Sequence, residues 1–311
     1  MYFRYSLLEM KTESKFRPAS SEERKALRIP PAWTGVEVAD SSDSKVQARG
    51  RDGKGRLQCI YSAAHTAAAL RGKFSRLVKF NAKLPTILKR VQKDLAGPDA
   101  EEAAVLRLVY FSGFRNGGDS GNGKVKAYGA SNLLAEHVTV EGDVVTFDFI
   151  GKLGVRQQHE IRDAGLAADL AARKARGGNL FDTDSAKVLR YLKKSGNFKV
   201  HDFRTWNATE LALTATQTLP SPKTAEEFWA ARDMIGDLVA KKLGDTRKIV
   251  LDCYINPSVF AAWKNKLNIN EKETRPKVKK TKAATFDGGS DAENGQVFAA
   301  FAARQNRLQA A

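Results

Sequence analysis

The sequence predicts an α+β fold: a small N-terminal antiparallel β-sheet domain, then a mainly helical domain that carries a small three-stranded β-sheet of its own. Three observations lead there. Short alternating segments dominate as far as Tyr61, the apolar period lengthens to that of a helix from about Thr66, and an island of alternation returns between Val138 and Ile161. A chain of 311 residues has the length of about two domains and can bury a substantial core.

Taken in order, residues 1–28 form a polar leader, and "IPPAW" (Ile29 to Trp33) opens the β-rich region. Its segments are "GVEVA", "KVQAR" and "RLQCIY", the last two joined by the glycine-rich basic turn "GRDGKGR". From Thr66 the apolar residues Leu70, Phe74, Leu77 and Val78, then Leu84, Leu88, Val91 and Leu95, keep helical spacing. Pro85 falls among them, which predicts two successive helices. "AEEAAVLRLVYFSGF" predicts another helix. The β island then supplies strands at Val138 to Val140, Val144 to Ile150 and Val155 to Ile161, with turns at Gly142-Asp143 and Gly151 to Gly154. Helices return in "AGLAADLAARKAR", "DSAKVLRYLKK", "DFRTWNATELALTATQ" and "KTAEEFWAARDMIGDLVAKKLG". Asn256 is a good N-cap and Pro257 suits a first helical position, so a further helix starts near Pro257. Residues 268–311 read as a Lys-rich, disordered tail.

Charge narrows the function classes. Lys and Arg number 52 against 35 Asp and Glu, a formal net charge of +17, which favours a polyanionic partner. No apolar run reaches the ~20 residues a membrane helix needs, and the opening residues do not form a signal peptide, so the expected location is cytoplasmic. Cys59 and Cys253 lack metal-binding spacing, the four histidines are scattered, and no phosphate loop is present; no cofactor is expected.

Four residues stand out against this background. Arg115 in "SGFRNGGD" closes a helix and opens a glycine-rich loop; Lys152 in "FIGKLG" sits at a hairpin tip; Arg204 in "VHDFRTW" lies in a first helical turn that Asp202 caps; Tyr254 in "CYINP" precedes a helix. Arginine offers a fork of donors that matches two phosphate oxygens and keeps its charge near neutral pH. A lysine on a slim hairpin can protonate a departing alkoxide, and a phenol, which ordinarily ionises near pH 10, can attack phosphorus once cations lower the cost. Together these parts suit metal-free strand cleavage by transesterification. Each also has an ordinary alternative: Arg115 as a helix C-cap, Lys152 as a solvated turn residue, Arg204 as the partner of Asp202.

These motifs, in this order, resemble the type IB DNA topoisomerases of the small bacterial and poxvirus kind. "IPPAW", "GRDGKGRLQCIY", "FRNGG" followed by "YGASNLLAEHV", "FIGKLG", "HDFRTW", and "LGDT" ahead of "CYINP" carry the resemblance over most of Ile29 to Leu267. It implies that Arg115, Lys152 and Arg204 assist Tyr254, which becomes joined to a DNA 3′ phosphate while the free 5′ end rotates, with neither ATP nor metal. The implied partner is double-stranded DNA, held by a monomer in a C-shaped clamp: residues 29–65 form the β clamp domain and 66–267 the catalytic domain. Gln58 and Tyr61 are implied to read or brace bases, while Arg49, Arg51, Lys54 and Arg56 supply phosphate contacts.

Two departures qualify the match. The family has His or Asn nine residues before its tyrosine, whereas this chain has Asp245, whose charge would repel a phosphate unless it is protonated, turned away or merely a turn residue. His201 makes the His-x-x-Arg spacing of tyrosine recombinases with Arg204, and is read as a phosphate contact or as packing at the helix start. A recombinase is therefore the nearest alternative, although its N-terminal domain would be helical. A catalytically inactive DNA-binding relative is the other.

Overall fold

The computed structural model describes residues 15–117, 126–270 and 291–310, and divides into two units, Met1–Ser75 and Arg76–Ala311. The first is built on a four-stranded antiparallel sheet in the order β1 (Phe16–Pro18), β2 (Thr34–Ala39), β3 (Val46–Arg51), β4 (Leu57–Tyr61), with α1 (Ser21–Ala26) between the first two strands. The expected leader over 1–28 thus contains a strand and a helix. Ser20 caps that helix in a reciprocal capping box with Glu23. Strand alternation turns Val36, Val38 and Ala48 inward with Ile29, and Trp33, Leu27 and Ile60 pack against them. Residues 1–14 of the leader lie outside the described residues.

The boundary between units falls inside α2 (Ala63–Asp94), one continuous helix where two were predicted. Pro85 costs an interior helix roughly 3 kcal/mol. That cost is met because Leu77, Phe80, Leu84, Ile87, Leu88 and Val91 form one buried stripe on both sides of the proline. A break at Pro85 would turn half of the stripe away from the core.

The second unit centres on α3 (Ala100–Ser112) and continues through the three-stranded antiparallel sheet β5 (Val138–Glu141), β6 (Val144–Ile150) and β7 (Arg156–Arg162). Helices α4 (Ala164–Ala175), α5 (Ser185–Lys193), α6 (Val200–Thr218) and α7 (Ala225–Leu243) follow. The chain then makes the short α8 (Arg247–Ile249), a π-helical turn Val250–Tyr254, a 3-10 turn Pro257–Phe260 and α9 (Ala261–Lys266). Both α3 and α6 are buried on nearly every side, so they form the interior against which the other helices pack. Among the described residues no helix is long and apolar enough to cross a membrane.

The disordered tail expected over 268–311 is corrected at its end: Asp291–Ala310 is a helix, α10, packed on α6. Val297, Phe301 and Gln305, spaced by four, are buried beneath it. The Gln305 amide donates to the Tyr110 carbonyl at 2.8 Å and to Asn207 Oδ1 at 3.2 Å, and the Tyr110 hydroxyl donates to the Gln305 carbonyl at 2.8 Å. Arg304 pairs with Glu210. The stripe reads as polar because one of its three stations is a glutamine, which is satisfied only by groups on other helices. The Lys-rich segment 271–290 lies outside the described residues. Phe301→Ala should cost the helical unit about 3–5 kcal/mol of unfolding free energy, read from the urea midpoint at unchanged slope. An unmoved midpoint would show that α10 does not dock.

Candidate active site

Two helix ends and one buried arginine organise the site. Helix α3 ends at Gly113, which is left-handed with φ 69°, and a side-chain carbon there would meet Leu243 Cδ2 at 2.7 Å. Helix α7 ends at Gly244, also left-handed with φ 57°, where an added carbon would stand 1.8 Å from Gln157 Oε1. The Arg204 guanidinium lies between these ends, 2% exposed, donating to the Gly113 carbonyl at 2.8 Å and the Leu243 carbonyl at 2.7 Å. A cation at two helix C-termini gains from both dipoles and from carbonyls that the helices leave open.

Helix α6 starts at Val200 after Lys199, earlier than predicted, so Arg204 belongs to its second turn and not its first. Asp202 reaches back to the Lys199 N–H at 2.9 Å and pairs with Arg76 at 2.9 Å. It is therefore not the partner of Arg204, whose carboxylate is Asp245: Arg204 Nη2 donates to Asp245 Oδ2 at 2.9 Å. Arg115 Nη2 donates to the same oxygen at 3.0 Å. Asp245 is neither turned away nor a solvent-facing turn residue. It bridges the two arginines.

Arg115 is held through its backbone. Its carbonyl accepts from the Ala130 N–H at 2.8 Å, the Asn116 carbonyl accepts from Ser131 at 2.7 Å, and the Asn116 amide donates to the Ser185 carbonyl at 2.9 Å. The side chain itself stays about one-third exposed. Residues 118–125 of the glycine-rich loop lie outside the described residues.

Tyr254 ends the π-helical turn and is 4% exposed, more enclosed than a loose lead-in turn would leave it. Thr209 on α6 fixes this backbone: its hydroxyl donates to the Tyr254 carbonyl at 3.2 Å and accepts from the Asn256 N–H at 3.1 Å. Asn256 is an N-cap as expected, accepting from the Ser258 N–H at 3.1 Å, but the helix expected from Pro257 opens as a 3-10 turn and becomes α-helical only at Ala261. The Arg204 guanidinium carbon lies 5.0 Å from the centre of the Tyr254 ring, and the His201 ring 5.2 Å from it. Burial pushes the Arg204 guanidinium below its ordinary pKa; the Tyr254 phenol opposes this, Arg115 adds to it, and Asp245 opposes it. The shift leaves it a cation, since a guanidinium is not deprotonated in proteins.

Lys152 is exposed on a 3-10 turn, Lys152–Gly154, between β6 and β7. Leu153 beside it is left-handed at φ 65°, a strained conformation for a residue with a side chain, and is itself 76% exposed. The hairpin is joined to α7 by Gln157 on β7, whose amide donates to the Gly244 carbonyl at 3.3 Å. Gln157 Oε1 faces His159 Nε2 at 3.2 Å, and burial pushes that imidazole down to about 4, with Lys242 and Arg204 adding to the effect. Arg115, Lys152, His201, Arg204, Asp245 and Tyr254 all line one cleft of about 600 Å³.

In the sheet unit the residues singled out do not share one face. Arg49 pairs across the sheet with Cys59, and Arg51 with Leu57, so these side chains point outward together. Gln58 pairs with Gly50 and lies on the side of Ile60 and the core, its amide donating to Asp52 Oδ2 at 3.0 Å. Tyr61 is exposed, against His65 at 5.1 Å between ring centres. Arg49 pairs with Glu37, Arg56 with Asp52, and Arg51 donates to the Gly55 carbonyl. Lys54 donates its backbone N–H to Asp52, whose carboxyl Arg56 holds down at about 2. Asp52 thus ties the turn that presents Lys54 and Arg56.

Sequence reasoning missed Gln157, Thr209 and the bridging role of Asp245. Gly244 after a helix was a signal for the α7 cap; nothing in the sequence marks Gln157 as the neighbour of that cap or Thr209 as the neighbour of the Tyr254 turn.

Comparison with known proteins adds family-level findings. A family model of the eukaryotic DNA topoisomerase I catalytic core matches residues 65–282, and one of the bacterial DNA topoisomerase IB N-terminal domain matches residues 11–52. The DNA topoisomerase 1B of Acanthamoeba polyphaga mimivirus is 30% identical over 273 residues, which cover 77% of this chain and 81% of that protein.

Proposed function

Because this chain belongs to the type IB DNA topoisomerases, we propose that it relaxes supercoiled DNA by cutting and resealing one strand through a 3′-phosphotyrosyl intermediate, without ATP or metal. The observation that carries this reading is the convergence of Arg115, Lys152, His201, Arg204 and Tyr254, from four separate stretches of chain, on one cleft. In the forward step the Tyr254 oxygen bonds to phosphorus, its proton passing to solvent, and the bond to the 5′ oxygen breaks as Lys152 gives that oxygen a proton. Arg115 and Arg204 share the charge of the five-coordinate phosphorus, and His201, at the same mouth, donates to a non-bridging oxygen. One phosphodiester is exchanged for another of similar energy, so the reverse step needs no added fuel.

Duplex binding is assigned to the sheet unit and to the excess of +17. Arg49, Arg51, Lys54 and Arg56 neutralise phosphates and Tyr61 braces the groove, with Gln58 free to reach a base only if it leaves Asp52. The test is relaxation of a supercoiled plasmid lacking paired recombination sites, in EDTA and without ATP. A ladder of relaxed topoisomers is expected. Binding with no relaxation would favour an inactive relative, and turnover confined to paired sites would favour a recombinase.

A further inference from the structure

One carboxylate oxygen occupies the two guanidiniums that the proposed reaction assigns to the phosphate. Asp245 Oδ2 accepts from Arg115 Nη2 at 3.0 Å and from Arg204 Nη2 at 2.9 Å, with the carboxylate largely buried. Both Arg204 Nη2 hydrogens are then committed, one to Asp245 and one to the Leu243 carbonyl, and Nη1 serves the Gly113 carbonyl. The Arg204 Nε is buried and has no acceptor. A planar carboxylate held at Nη2 therefore leaves this guanidinium incompletely satisfied. The Tyr254 phenol also hydrogen-bonds this guanidinium, but a tetrahedral anion brings more oxygens to the same cleft and can take the Nε hydrogen that is left without an acceptor.

We propose that Asp245 is an internal substitute for the scissile phosphate: in the DNA-free protein it fills the anion position between Arg115 and Arg204, and it must yield that position before cleavage. The inference rests on the topoisomerase reading for its consequence, though not for its geometry. Asp245 is a positioning residue here. It keeps two like charges together and a buried arginine neutralised while the cleft is empty, and it competes with substrate for the same donors. The competent state is the one in which the carboxylate has moved aside. If that state is populated at about a tenth or less, removing the competing charge accelerates single-turnover cleavage roughly tenfold or more.

Asp245→Asn removes the charge and keeps the shape and one acceptor. Two readouts decide the matter in the full-length protein. First, inorganic phosphate, against chloride at matched ionic strength, should raise the melting temperature of the DNA-free Asn variant and leave the wild type unmoved. Asp245→Glu, which keeps the charge, should behave as the wild type. If the Asn variant is unstable, that instability becomes the assay, because phosphate should restore it by replacing the lost carboxylate. Second, the Asn variant should form covalent adduct faster than the wild type on saturating duplex substrate. An equal response to phosphate in all three proteins, or a folded Asn variant that cleaves more slowly, overturns the proposal. Absence of adduct in both wild type and variant would instead overturn the topoisomerase reading, while the phosphate shift, which needs no chemistry, still decides the role of Asp245.

Discussion

Tyr254→Phe is expected to abolish covalent attachment to DNA while leaving a folded, DNA-binding protein. The substitution deletes one oxygen. The ring that packs beside Arg204 and His201 remains, and Thr209 still holds the Tyr254 carbonyl and the Asn256 N–H. No other change isolates the nucleophile so cleanly. Denaturant trapping on a labelled duplex should give wild-type protein joined to the 3′ end at the nick, and no adduct from the phenylalanine variant. Adduct in the variant would remove Tyr254 from the chemistry, and attachment at the 5′ end would reverse the polarity of the proposed step.

The second large effect belongs to Lys152. It is exposed on its turn, so Lys152→Ala should alter stability little, by roughly 0.5 kcal/mol or less. Loss of a general acid should nevertheless slow cleavage by about two to four orders of magnitude. The size of the defect does not by itself distinguish a proton donor from a phosphate contact. A substrate whose 5′ bridging oxygen is replaced by sulfur does, because a thiolate leaves without protonation. Near-complete recovery of the variant on that substrate is expected. A defect of the same size on both substrates would make Lys152 a binding residue only.

Much of this was legible along the chain because it is local. The change of period after Tyr61 separates sheet from helix, the β island at Val138 to Ile161 forms the expected three strands, and Asn256 caps helical structure where a helix was expected, first as a 3-10 turn and then as α9. The motifs around Arg115, Lys152, Arg204 and Tyr254 are short and contiguous, so their order could be read without knowing how they meet. Periodicity, caps and turn residues act within a few positions, and a sequence displays them directly.

What the tertiary structure decided involves groups far apart in sequence. Pro85 stays within α2 because a single buried stripe runs through it, and α10 forms because Gln305 finds acceptors on α3 and α6. Local pattern offered Asp202 as a helix cap or as the partner of Arg204, and left Asp245 ambiguous. The fold pairs Asp202 with Arg76 and turns Asp245 inward, because the C-termini of α3 and α7 converge on one buried guanidinium to which each gives a carbonyl without neutralising it. A charge enclosed in that way requires a counter-ion from whichever segment the packing brings within reach, and in this chain that segment is the turn after Gly244.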